Sequence, residues 1–183
     1  MKIMAAADIH GSEFYCEKLI YSYKKEKCDK LLLLGDILYH GPRNELPRDY
    51  NPKAVISKLN ELKNEILCVK GNCDSEVDQM VLEFPIMAEY CYLYLDGITI
   101  FATHGHKFNK SFMPCLAEDE ILLHGHTHIP VCEKIEKNLY MNPGSVSIPK
   151  ENSHHGYMTI ENGRFLWKDF SENTIMEYCI QQR

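Results

Sequence analysis

Apolar positions in the first half of the chain come in short bursts, and each burst ends on a polar turn. Residues 2–7 close on Asp8-Ile9-His10-Gly11, residues 31–34 on Gly35-Asp36, and residues 66–69 on Gly71-Asn72-Cys73-Asp74. Runs of this length bounded by turn residues read as buried strands. The stretches between them have another period. Ser12 is placed to cap a helix in which Phe14, Leu19, Ile20 and Tyr23 recur at roughly helical spacing. A loop over 42–52 holds three prolines, and Pro52 suits the first turn of a second helix whose apolar face is Val55, Ile56, Leu59 and Leu62. Strand alternating with helix predicts a parallel sheet with crossover helices.

After Pro85 the texture turns β-like. Short segments at 90–95, 98–103, 121–124, 131–136, 139–141, 156–160 and 164–169 follow one another with little helical pattern between them. Asp96-Gly97 and Asn162-Gly163 supply hairpin turns. No repeat, low-complexity tract or linker interrupts the chain. The expectation is one α/β domain over 1–183, with two packed sheets and flanking helices.

Composition narrows the class. The chain has 183 residues, 45% hydrophobic and 25% charged, which excludes collagen, disorder and coiled coil. Twenty basic against 26 acidic residues give a net charge of −6, so no footprint for duplex nucleic acid is visible. No stretch approaches the roughly 18 apolar residues of a membrane helix, and the apolar start meets Asp8 too soon for a signal segment. Eight cysteines occur without a C-x-x-C pair. They read as reduced thiols, and a cytoplasmic location is expected.

The polar turns carry the chemistry. Asp8-Ile9-His10, Gly35-Asp36, Gly71-Asn72, Thr103-His104-Gly105-His106 and Gly125-His126-Thr127-His128 all fall at predicted strand ends, where open α/β sheets collect ligands. Each motif alone has a structural explanation as a turn; the ordered set does not. Carboxylate, amide and imidazole together suit first-row divalent ions. Seven donors are too many for one tetrahedral site and the right number for two ions sharing a carboxylate.

The order D-x-H, GD, GN, THGH and GHTH resembles the calcineurin-like metallophosphoesterases over nearly the whole chain. The resemblance implies a four-layer α/β/β/α sandwich with a dinuclear site between its sheets. Carried over by position, one ion would be held by Asp8, His10, Asp36 and His128. The other would be held by Asp36, Asn72, His104 and His126. Manganese is the first choice, with zinc, iron and magnesium as the others. The implied reaction is hydrolysis of a small-molecule phosphodiester by in-line attack of a metal-bridging hydroxide. A phosphomonoesterase on the same site, or a non-catalytic scaffold of the kind found in a retromer subunit, are the alternatives.

Many family members have a histidine after the GN motif that helps the leaving group depart. This chain has Cys73 there, and a thiol donates hydrogen bonds weakly. His40 and Arg43, in the loop after Asp36, are candidates for contact with phosphate or leaving group. His106 and Asp74 are expected to support the ligands, and the 142–145 turn to shape the pocket. His124 is expected to be a satisfied core histidine, with His154 and His155 in a surface loop. Tyr90, Tyr92 and Tyr94 alternate along one strand and offer a face for homo-oligomer contact.

Overall fold

The computed structural model describes residues 1–180, so the last three residues of the expected domain lie outside the described residues. Two mixed sheets pack face to face. The first has the order β11-β10-β9-β1-β2-β3. β1 (Ile3–Ala6), β2 (Lys30–Leu33) and β3 (Ile66–Cys68) run parallel, while β9 (Gly156–Glu161), β10 (Arg164–Asp169) and β11 (Thr174–Cys179) extend the sheet antiparallel. The second has the order β4-β5-β6-β8-β7, built from β4 (Tyr90–Leu95), β5 (Ile98–Thr103), β6 (Ile121–Leu123), β7 (Val131–Ile135) and β8 (Asn138–Asn142).

Period-two alternation decides which side chain enters which layer. Ile3, Ala5, Leu32 and Leu34 face the second sheet and meet Ile100, Ala102, Ile121, Leu123 and Met141. Met4, Ala6, Leu31 and Leu33 face the helices. Both faces of β1 and β2 are therefore buried, which is why these strands read as unbroken apolar runs.

Helix α1 (Glu13–Lys25) starts at Ser12, whose hydroxyl accepts the Tyr15 N–H, as the sequence predicts. Helix α2 (Pro52–Asn60) has Asn51 as its cap and Pro52 in its first turn, but it stops short of Leu62. Leu62 still packs in the same apolar cluster from the turn that follows. A four-residue helix α3 (Glu76–Gln79), closed by a Ser75–Asp78 capping box, carries no apolar periodicity and was not anticipated.

The outer face of the second sheet carries a smaller apolar cluster of its own. Among the described residues no helix covers it. Phe101, Leu122 and Tyr140 are covered instead by Phe108, Met113 and Leu116 of an irregular segment.

Candidate metal centre

The parallel strands and their counterparts in the second sheet end together at one pole. β1 delivers Asp8 and His10, β2 Asp36, β3 Asn72, β5 His104, and β6 leads into His126 and His128. The backbone is strained where it does so. Asp8, His10, Asp36, His126 and His128 all have positive φ, between 48° and 65°, a region that side chains other than Gly seldom enter. Such angles persist only where the surroundings hold them. Here the Asp74 carboxylate does much of this. It accepts the N–H groups of Asp36 (2.9 Å), Ile37 (2.9 Å) and Gly71 (2.7 Å), so it supports main chain rather than ligand side chains. Gly71 is required by contact: a Cβ there would lie 2.1 Å from Asp36 Oδ1.

The side chains form two groups. Asp8, His10 and His128 place donor atoms within 4.8 Å of one another, and so do Asp36, His104 and His126. Asp36 joins them, with Oδ2 3.7 Å from His10 Nε2 and 3.4 Å from His104 Nε2. Asn72 turns its amide oxygen to His104 Nε2 at 3.0 Å.

The tautomers follow from the partners. His10 Nδ1 lies 2.7 Å from the Tyr39 carbonyl, His104 Nδ1 2.7 Å from Leu34, and His128 Nδ1 2.6 Å from Ile148. A carbonyl only accepts, so Nδ1 carries a proton in each ring, and in His10 and His128, both lowered by burial, Nε2 points its lone pair inward. His10 Nε2 and His128 Nε2 thus face each other at 3.3 Å, beside an Asp8 Oδ1 that is buried without a hydrogen-bond partner. Acceptors converging on acceptors need a cation between them, and the donor set fits divalent metal.

Titration divides these side chains into groups that hold a proton and groups that have lost it. Burial pushes the Asp8 carboxyl up to about 8, against the pull of His104. Burial would also raise Asp36, but hydrogen bonding and charge from His104 carry it well below the usual carboxylate range. His104 is lowered by burial yet pushed up to about 9 by its hydrogen bond to Asp36 and the nearby carboxylates. Burial lowers His10, and takes His126 and His128 down to about 4. His126 and His128 are neutral at pH 7 and ready to donate lone pairs.

Around this centre, Cys73 comes within 4.8 Å of both His10 and Asp36, and its N–H donates to Asp36 Oδ1 at 2.8 Å. Burial and the Asp36 charge hold its thiol far above the ordinary value, so it is neutral. His40 is half-buried, with Nδ1 lacking a partner; Arg43 is exposed in the same loop. The His106 ring lies 5.4 Å from His104 and 6.2 Å from His126. His124 is buried against Tyr140, but it is not fully satisfied: Nδ1 meets the Gly125 carbonyl while Nε2 has no partner. His155 lies in the loop before β9, where its ring stacks on Tyr15 at 4.0 Å. Ser145, in the turn expected to shape the pocket, and Ser147, which sequence reasoning missed, both donate their hydroxyls to the Asp8 carbonyl at 3.0 Å and brace its strained backbone. The Asn142-Pro143-Gly144-Ser145 turn was the available signal; Asn142 Nδ2 also donates to the Gly125 carbonyl at 2.7 Å.

Residues 1–163 match the model of the calcineurin-like phosphoesterase superfamily domain. The chain belongs to that superfamily. Within it, this chain is 44% identical over 162 residues to the phosphodiesterase YfcE of Escherichia coli K12, covering 88% of each protein. The solved structure of YfcE, a phosphoesterase from E. coli, superposes with a TM-score of 0.96 at 41% identity, over 99% of this chain and 100% of that one. The fold also matches zinc-complexed Vps29 from Entamoeba histolytica, with a TM-score of 0.57 at 17% identity over 90% of this chain and 89% of that one. At that identity the likeness is one of fold. Divalent metal is implied by the superfamily and fits the donor set.

Proposed function

We propose that this phosphoesterase hydrolyses a small-molecule phosphodiester with two divalent cations held in the paired groups. Asp8, His10, Asp36 and His128 would hold one; Asp36, Asn72, His104 and His126 the other. The observation that carries the reading is Asp36, whose Oδ2 lies within 3.7 Å of an imidazole nitrogen from each group. The likeness to a phosphodiesterase at 44% identity supports the substrate class. Bound cations would supply Lewis-acid neutralisation of the phosphoryl oxygens and a water of lowered pKa.

The protein's own part is orientation. Three Nδ1–H donors locked on carbonyls fix the inward nitrogens before any cation arrives, so little reorganisation is left for the reaction. Cys73, a neutral thiol beside Asp36, stands where a stronger donor could assist the leaving oxygen. His40 and Arg43, on the adjoining loop, would meet the phosphate or the leaving group. Manganese is the cation we favour. Eight free cysteines support a reducing, cytoplasmic setting, and exposed Tyr90, Tyr92 and Tyr94 on the β4 edge support a contact between copies. The reading treats residues 1–183 as one domain.

The test strips the protein with chelator and assays an aryl phosphodiester against its monoester with Mn²⁺, Zn²⁺, Mg²⁺ or no metal. Turnover restored by metal, favouring the diester and lost in Asp36→Asn, is the expected result. Preference for the monoester, or no turnover by folded protein with any metal, overturns it.

A further inference from the structure

The segment Tyr39-His40-Gly41 runs along one side of the centre and is tied to it at both ends. Its first carbonyl accepts His10 Nδ1–H at 2.7 Å. At its other end, a Cβ added to Gly41 would lie 3.3 Å from Cys73 Sγ, so the main chain there packs close to the thiol. His40 stands between, packed edge-on against Tyr39 at 4.8 Å and Tyr50 at 5.3 Å. The loop is also fixed further on, because the Ser12 hydroxyl donates to the Arg48 carbonyl at 2.6 Å and Glu13 N–H to Asp49 at 2.9 Å. The Arg48 guanidinium sits 3.6 Å over the Phe14 ring.

On this pinned rim Tyr39 is 42% exposed. Folding does not use it for the core, although its own carbonyl belongs to the centre. An aromatic face held on a fixed main chain offers contact area at low entropic cost. We propose that Tyr39 is a specificity-determining residue: its ring is the platform on which a flat aromatic substituent of the phosphodiester, an aryl or nucleobase group, stacks. Aromatic–base stacking of this type is sequence-tolerant and needs a π face on the substrate, so an alkyl substituent gains nothing from it. His40 backs the platform, its ring edge-on to Tyr39 and its Nδ1 buried. The assignment rests on the phosphodiesterase reading for its substrate and on the loop geometry for its site.

The experiment compares bis(4-nitrophenyl) phosphate with methyl 4-nitrophenyl phosphate, which share a leaving group and differ in the other substituent. It is run on the metal-loaded protein and on Tyr39→Leu and Tyr39→Phe. In Tyr39→Leu the aryl-over-methyl preference is expected to fall by ~10-fold, through KM rather than kcat, while Tyr39→Phe keeps it. A parallel calorimetric titration with phenylphosphonate and methylphosphonate needs no turnover. The phenyl compound is expected to bind more tightly, and that advantage to be lost in Tyr39→Leu. Equal losses on both esters, or equal binding of both phosphonates by the unmodified protein, overturn the assignment. Absence of turnover with the phenyl preference intact overturns the phosphodiesterase reading and leaves Tyr39 as an aromatic subsite.

Discussion

Cys73 and Asp74 are neighbours in sequence with opposite tasks. The Cys73 thiol faces the centre, between His10 and Asp36, and is held neutral by burial and the Asp36 charge. A weak donor at that place contributes little when the departing oxygen is basic, whereas general-acid help is typically worth ~10²–10⁴-fold. Cys73→His is therefore expected to accelerate hydrolysis of alkyl diesters more than aryl ones. A linear free-energy plot of rate against leaving-group pKa should become shallower, and an unchanged slope would show that position 73 is not near the departing oxygen. Asp74 points the other way, into the main chain. Its two oxygens accept three N–H groups, so Asp74→Asn brings an amide N–H against a main-chain donor. The expected cost is ~2 kcal/mol of stability, read from urea unfolding, with a matching loss of metal affinity. Stability equal to that of the parent would mean the turn reorganises around the amide.

At the level of elements, the chain end of α1 is tied to the first sheet through one carboxylate. Glu26 pairs with Lys2 Nζ at 2.7 Å and with Lys168 on β10, and the Tyr157 hydroxyl of β9 reaches it at 3.4 Å. Burial would raise its pKa, but hydrogen bonds from Lys168 and Lys2 bring it below the ordinary 4.5. A folded pKa lower than the unfolded one contributes stability above pH 4.5 that is lost as pH falls through the folded value. Glu26→Gln is expected to cost ~1 kcal/mol at pH 7 and progressively less in acid. Urea midpoints measured across pH would show the two proteins converging; a gap constant with pH would assign the effect to packing. The same level shows what sequence patterning could reach. β4 and β5 were legible because six-residue apolar runs flank Asp96-Gly97. β11 was not, since Glu177 interrupts a half-exposed edge strand and dilutes its alternation. For the centre, the order of polar motifs at strand ends foretold which side chains meet. It could not foretell the carbonyls of Leu34, Tyr39 and Ile148 that orient the rings, because a carbonyl carries no residue identity.

For the whole molecule, the decisive feature is that the centre draws on both sheets. Asp8, His10, Asp36 and Asn72 follow strands of the first, His104, His126 and His128 strands of the second. Without a cation the two sides meet through like-acting acceptors, a raised Asp8 carboxyl and a strained backbone. A cation bound there links the sheets and compensates those groups at once, and whatever binds only the folded state stabilises it by mass action. Metal is thus expected to raise the unfolding free energy of the entire sandwich by ~3 kcal/mol at a hundredfold excess over Kd. For a chain of this size that corresponds to an increase in Tm of ~10 °C. Hydrogen exchange is the discriminating readout, because a local effect and a global one protect different amides. Slower exchange after adding Mn²⁺ should extend along β1 and β2 and also β5 and β6. Asp36→Asn, which weakens the shared carboxylate, should shrink the increment on both sheets together. Protection confined to the 8–10 and 126–128 turns would instead mean that the sheets hold together independently of the cations.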